Sequence, residues 1–235
     1  MFNGKYNTLL TVLLVVAIVA IIGILGYLGY SVYNKYYIDS TARDVVDAFE
    51  QAHGIDNNTV TQNPTKQDEN IVNENIVIAD VPSGPDEEQT SNSQNTSKNN
   101  NSTKYNGFNV IGTISIPSIK IEYPILDEVT SKALKIAIVY LYGPGVNQVG
   151  NTVYQGHNYR NGTFFSNLSK LKDGADIYMT DESGEKIQYK VYRNFEANAS
   201  DTSFYNRDTN GKREITLSTC TEDANTRTII FAREV

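Results

Sequence analysis

The sequence predicts a mainly β domain, an antiparallel barrel or sandwich, carried behind an N-terminal membrane-spanning helix and a flexible tether. Three observations lead there. Residues 9–30 are almost wholly apolar, with no charge between Lys5 and Lys35. Residues 54–104 are dominated by Asn, Ser, Thr, Gln and Asp and hold few large apolar side chains. From about Tyr105 onward, short runs rich in β-branched and aromatic residues alternate with turn dipeptides, and no strand–helix–strand unit repeats.

The apolar run at 9–30 would form about 33 Å of helix at ~1.5 Å per residue, enough to cross a hydrocarbon core of about 30 Å. It ends among Tyr27, Tyr30, Tyr33, Tyr36 and Tyr37, an interfacial aromatic belt. The run is longer than the core of a cleaved signal peptide and lacks its small-residue exit, so residues 1–38 read as an uncleaved single-pass anchor. The flanking charges, Lys5 on one side and Lys35 and Arg43 on the other, do not set its orientation. Residues 39–52 continue as helix, with Val45, Val46 and Phe49 on one stripe and Ser40 or Thr41 as a cap, and are expected to lead away from the membrane as a short stalk. The linker that follows cannot bury enough surface to offset its ordering entropy and is expected to be disordered, so stalk and linker together occupy 39–104.

Residues 105–235 are long enough for one core. Strand-like runs fall at 113–116, 119–123, 151–156, 176–180, 186–195, 214–220 and 227–234, and 132–141 is expected to be a short helix. Asn106–Gly107, Asn161–Gly162, Asp173–Gly174, Ser183–Gly184 and Asn210–Gly211 mark turns between them. The net charge of −7 is concentrated in the linker, whereas the C-terminal region is almost neutral. Such a region lacks the clustered basic face that neutralises phosphates, so nucleic acid is excluded as a partner.

The chemistry-bearing residues are few. Cys220 is the one cysteine, which excludes an internal disulfide, and the only histidines are His53 and His157. Glu214–Cys220 and Arg227–Val235 are strand-like and joined by a six-residue connector rich in Asp, Asn and Thr. If they form a hairpin centred on that connector, Cys220 and Arg227 become cross-strand partners on one face, with Cβ atoms about 4.5–5.5 Å apart. A slip of one residue would send the arginine to the other face. The pairing matters because the thiolate is the nucleophile, and a neighbouring cation favours it over the thiol. The guanidinium can also hold the oxyanion of a tetrahedral intermediate. His157 follows a glycine at the end of a strand-like run, where it suits general acid–base work. A small buried hydrophobe is the ordinary role for a lone cysteine. Here the row shared by Thr216, Ser218 and Cys220 is polar, which argues against it.

The run Thr216-Leu-Ser-Thr-Cys220, Arg227 opening the next strand, and Gly156-His157-Asn158 upstream together resemble the sortases of Gram-positive bacteria. Gly112-Thr-Ile-Ser-Ile-Pro117 is similar to the first barrel strand of that family, and the resemblance covers about residues 107–235. It implies a closed β-barrel of roughly eight strands and a membrane-anchored cysteine transpeptidase whose catalytic domain lies outside the cell. The implied substrates are secreted proteins with an LPxTG-like C-terminal sorting signal. The implied acceptor is an amine of a peptidoglycan precursor or of a pilin. By the same resemblance Cys220 is the nucleophile, His157 the general acid/base and Arg227 the oxyanion-stabilising residue. Ser218, Thr219 and Asn158 are expected to bind substrate, with no cofactor or metal.

The TLSTC wording looks like class B. The 63 residues from His157 to Cys220 leave little room for that class's helical insertion and look closer to class D. The Asp-Pro-aromatic lid motif of pilin-polymerising members is not found near the start of the domain. The loops that would set the sorting motif lie chiefly at residues 197–211. Two other readings compete: an extracellular cysteine peptidase that only hydrolyses, and a surface-displayed binding module without catalysis.

Overall fold

The computed structural model describes residues 4–55 and 102–235, so the linker reading falls on residues outside those described. Helix α1 (Gly4–Ala52) is continuous, and its most apolar window has a mean hydropathy of 3.1 with none of it buried within the protein. The chain divides into two units inside this helix, after Ser40.

In the second unit the strands are β1 (Lys104–Tyr105), β2 (Phe108–Ile116), β3 (Ile121–Leu126), β4 (Ile138–Tyr142) and β5 (Gly150–Gln155). They are followed by β6 (Asp176–Asp181), β7 (Lys186–Asn198), β8 (Arg213–Cys220) and β9 (Thr226–Glu234). The sheet order is β1-β2-β3-β4-β5-β8-β9-β7-β6, and β6 returns to pair with β2. Strands β2 to β9 therefore close into an eight-stranded barrel, with the two-residue β1 appended to β2. Most neighbours are antiparallel; β3–β4 and β5–β8 are parallel. Closure needs a glycine at the seam. Gly112 pairs with Asp181, and a Cβ there would lie 2.5 Å from the carbonyl oxygen of Thr180.

Each turn dipeptide expected from sequence carries a left-handed glycine, from Gly107 at φ 87° to Gly211 at φ 75°. The stretch 132–141 differs from expectation. Only α2 (Ser131–Leu134) is helical, capped by the Thr130 hydroxyl, which accepts from the Ala133 amide at 3.0 Å. Ile138-Val-Tyr-Leu-Tyr142 is instead strand β4, because its β-branched and aromatic side chains suit a pleated surface and ladder partners exist on both sides, β3 and β5.

The end of α1 is no free stalk. Val45 and Phe49 are buried in a cluster with Tyr105, Val110, Leu126, Ala133, Ile136, Ala137 and Val139. Spaced four apart, they form one helix face, and this face covers the β3–α2–β4 side of the barrel. By contacts, the compact unit that holds the barrel is Thr41–Val235.

Candidate active site

The β8–β9 hairpin sets the first pair. Its register runs from Glu214↔Arg233 to Cys220↔Arg227, the alignment that puts thiol and guanidinium opposite each other. The six-residue connector is closed by the Thr221 amide on the Thr226 carbonyl at 3.0 Å. Asp223 organises it internally, accepting from the Thr221 hydroxyl at 2.7 Å and the Asn225 amide at 3.1 Å. Cys220 is a free, half-exposed thiol. It stands at the strand end, where the burial of the rest of β8 stops.

Strand β5 brings the histidine. It pairs in parallel with β8 as far as Gln155↔Ser218. His157 follows two residues beyond the end of β5, at the end of the barrel where β8 ends in Cys220. Three hydrogen bonds lace these strand ends together. The Gly156 amide donates to the Ser218 carbonyl at 3.3 Å, the Thr219 hydroxyl to the Gly156 carbonyl at 2.8 Å, and the Asn158 side-chain amide to the Cys220 carbonyl at 2.9 Å. Gly156 is required for space. A Cβ there would come within 2.5 Å of Ile138 Cδ1 and 2.8 Å of Phe165 Cδ2.

The loop after His157 is fixed from below. The His157 ring stacks on Tyr159 with centroids 4.9 Å apart, Tyr159 meets Phe164 at 5.7 Å, and Phe164 packs on Tyr123 at 4.8 Å. Phe164 is fully buried yet holds φ 47°, a left-handed conformation that a bulky residue adopts only when its surroundings demand it. Burial of His157 lowers its pKa below the usual 6.5, and the positive charge of Lys135 pushes in the same direction. At neutral pH the imidazole is therefore held in its uncharged form, ready to accept a proton. His53 has no part here. Its Nδ1 contacts the Phe49 carbonyl at 2.8 Å, and its ring lies on Phe49.

Arg227 is steadied by its Nε, which donates to the Ala199 carbonyl at 3.2 Å, and among the described residues it enters no ion pair. The three residues expected to bind substrate are placed differently from one another. Thr219, 2% exposed, shares its face with Ile215 and Leu217, opposite to that of Cys220, and its hydroxyl is used on Gly156. Asn158 likewise spends its amide on the Cys220 backbone. Both side chains thus tie the ends of β5 and β8 together. Ser218 does share the Cys220 face, but is 1% exposed.

The segment 199–212 also seats Phe204 and Arg207 on the barrel, contacts the sequence reading did not resolve. A usable signal existed. Glu214 lies on the same row of β8 as Cys220, six residues away, and a carboxylate in a strand of that kind requires a cation.

Comparison with known proteins agrees with this architecture. The family model described as the sortase domain matches residues 114–235, just over half of the chain. Sortase A of Bacillus anthracis is 37% identical over 112 residues, which is 47% of this chain and 52% of that protein. Among solved structures, sortase A from Corynebacterium diphtheriae aligns with a TM-score of 0.50 at 31% identity, covering 55% of this chain and 61% of that one. A sortase D5 transpeptidase from Clostridium perfringens aligns with a TM-score of 0.49 at 27% identity, covering 54% and 79%. The chain thus spans about half the length of the curated relative it matches. On the family match across its barrel, this chain belongs to the sortase family.

Proposed function

We propose that this chain is a membrane-anchored sortase. It cleaves an LPxTG-like C-terminal sorting signal on secreted proteins through a thioacyl intermediate and transfers the protein to an amine of the cell wall or of a pilin. The observation that carries this reading is the pairing of Cys220 with Arg227 across β8–β9, with His157 in the loop just after β5, the strand that pairs with β8. Sortases as a family are cysteine transpeptidases, which supports the reaction type.

In this mechanism His157 takes the proton of the Cys220 thiol, the sulfur attacks the carbonyl carbon of the scissile amide, and the carbonyl π electrons move to oxygen. Arg227 stabilises that oxyanion. Collapse of the tetrahedral adduct breaks the C–N bond, His157 supplies the proton to the departing amine, and a thioester to Cys220 remains. The acceptor amine then attacks the thioester carbon, His157 removes its proton, and the sulfur leaves as thiolate while the new amide forms. The neutral imidazole favoured by burial suits the proton-accepting half of the cycle.

The apolar part of α1 is the candidate anchor, and the barrel then lies on the outer side of the membrane, where sorting signals emerge. The connection between β7 and β8 contains no helix, which supports a class D-like assignment over class B. The test is to incubate the protein with a sorting-signal peptide, with and without a primary amine. Transfer product that vanishes in Cys220→Ala supports the proposal. Exclusive hydrolysis at saturating amine points to the peptidase reading, and no turnover with an unreactive Cys220 points to the binding module.

A further inference from the structure

His157 rests on a second aromatic ring. Its imidazole and the ring of Tyr159 have centroids 4.9 Å apart and planes tilted by 35°, within the range where aromatic pairs attract. The two residues are only two apart in sequence, so the loop itself has to fold to bring them together. Two side chains bend it. Asn158 Oδ1 accepts from the Arg160 amide at 3.1 Å, with Arg160 at φ 57°, and Asn161 Oδ1 accepts from the Thr163 amide at 3.0 Å. Both ends of the loop are anchored. The Phe165 amide donates to the His157 carbonyl at 3.1 Å, and the Asn158 side-chain amide donates to the Cys220 carbonyl at 2.9 Å.

Tyr159 is the exposed end of an aromatic column. It meets Phe164 at 5.7 Å, and Phe164 packs on Tyr123 of β3 at 4.8 Å. Phe164 and Tyr123 are buried in the barrel, whereas Tyr159 is 41% exposed. A ring so exposed is not what closes the core, because the buried pair beneath it does that. What Tyr159 covers is one side of the imidazole. Burial raises the pKa of its phenol, so it meets His157 as an uncharged ring whose π face attracts a cation placed over it. The other influences on His157 act in the opposite sense. Burial and the Lys135 charge both disfavour the imidazolium. Lys135 follows α2, and the start of β4 pairs with the end of β5, so this lysine belongs to the same end of the barrel.

We infer that Tyr159 is a positioning residue for His157: its ring, propped on Phe164 and Tyr123, fixes the plane of the imidazole and stabilises the imidazolium that forms when His157 takes a proton. The inference rests on the proposed sortase reaction, in which His157 accepts one proton from the Cys220 thiol and a second from the acceptor amine. Each transfer puts a positive charge on a ring that its surroundings otherwise keep neutral. Tyr159 offsets part of that cost without bringing in a negative charge. A carboxylate in the same place would hold the imidazole charged in the resting protein and remove the base. The stack uses the ring of Tyr159 and not its hydroxyl. Phenylalanine therefore serves in its place, and leucine, which has bulk but no π face, does not.

The test compares wild type with Tyr159→Phe, Tyr159→Leu and Tyr159→Trp in the full-length protein in detergent micelles. NMR of the His157 ring reads the contact without reference to activity, and a His53→Gln background leaves one histidine signal. The ring-current shift that Tyr159 imposes on the His157 ring protons should persist in the phenylalanine and tryptophan variants and vanish in leucine. The His157 pKa should follow the strength of the π face: lowest in leucine, close to wild type in phenylalanine, highest in tryptophan. The Phe164 and Phe165 amide shifts should hold in all three, which shows the loop intact. In steady-state transfer, Tyr159→Leu should lower kcat about tenfold with KM within about twofold, and Tyr159→Phe should match wild type. An unchanged kcat and pKa in Tyr159→Leu, or a loss of rate in Tyr159→Phe as large as in leucine, would overturn the inference. So would a His157 pKa that is higher in leucine than in phenylalanine. If wild type transfers no peptide at all while the NMR order holds, the loss falls on the sortase reading, and the support of the imidazole by Tyr159 stands.

Discussion

The side-chain amide of Asn158 donates to the main-chain carbonyl of Cys220 at 2.9 Å. One residue past His157, it ties the loop that carries the imidazole to the strand that carries the sulfur. Thr219 makes the reciprocal tie, from the cysteine strand to the Gly156 carbonyl at 2.8 Å. Asn158 and Thr219 thus tie the strand ends that carry His157 and Cys220 to each other.

Removing either tie should cost rate more than stability. Asn158→Ala or Thr219→Val should lower kcat/KM for peptide transfer about 10- to 100-fold, because a displacement of about 1 Å at a reacting group has effects of that order. The KM should stay close to wild type, and the melting temperature should fall by only a few degrees, about 1 kcal/mol for a lost hydrogen bond. Steady-state kinetics alongside circular dichroism melts separates the two effects.

His157 should report its surroundings directly. Burial favours its neutral form, and the Lys135 charge adds to that, so its pKa lies below 6.5. Removing the positive charge weakens the second cause, and reversing it stabilises the imidazolium. The His157 pKa should therefore rise in Lys135→Ala and rise further in Lys135→Glu. The acid limb of the transfer rate, where neutral imidazole is lost as pH falls, should move to higher pH with it. An NMR titration of the His157 ring checks the order, and the difference between variants should shrink at about 1 M salt, where screening is strong.

Arg227 needs both its charge and its shape. Arg227→Ala should reduce kcat about 100- to 1000-fold, the scale for loss of an oxyanion donor. Arg227→Lys should recover only part of this, because an ammonium cannot donate to Ala199 and hold an oxyanion from one planar fork. Alkylation of Cys220 measured in parallel shows how much of the loss lies in thiol reactivity.

The docked end of α1 gives a stability prediction. Phe49 is 0% exposed in its cluster. Phe49→Ala in a fragment of residues 41–235 should cost about 3–5 kcal/mol in urea unfolding, as for other buried aromatics cut to alanine. A fragment of residues 105–235, which leaves Val110, Leu126 and Val139 uncovered, should be less stable than the longer one and more prone to associate.

Much of the barrel was legible in the sequence because strands and turns carry local signals. β-Branched runs and Asn-Gly or Asp-Gly turns set β2, β3 and β5 to β9, and counting six residues between Cys220 and Arg227 was enough to set a hairpin register. Strand β4 was missed because Ser131–Leu134, a true helical turn, stands directly before it and the apolar spacing of the two runs together mimics one helix. The parallel pairs β3–β4 and β5–β8 were out of reach, since neither depends on residues close in sequence. The stripe of Val45 and Phe49 was visible, but not the surface that covers it, which is built from β1, β2, β3 and residues 133–139. At the site, residue type singled out Cys220, His157 and Arg227, whereas the backbone partners of Thr219 and Asn158 were not legible, because adjacency in sequence says nothing about strand parity. The contacts of Arg207 with Glu214 and Asn151 join three regions and appear only once they are folded together.

The most direct measurement is intact-mass spectrometry of the protein incubated with a sorting-signal peptide in the absence of amine. The expected result is a thioester adduct, equal to the peptide's acyl portion, located on Cys220 by digestion. The adduct should be discharged by added amine and absent from Cys220→Ala. An unmodified Cys220 in protein that still cleaves the peptide, or cleavage that survives Cys220→Ala, would contradict covalent catalysis by this thiol.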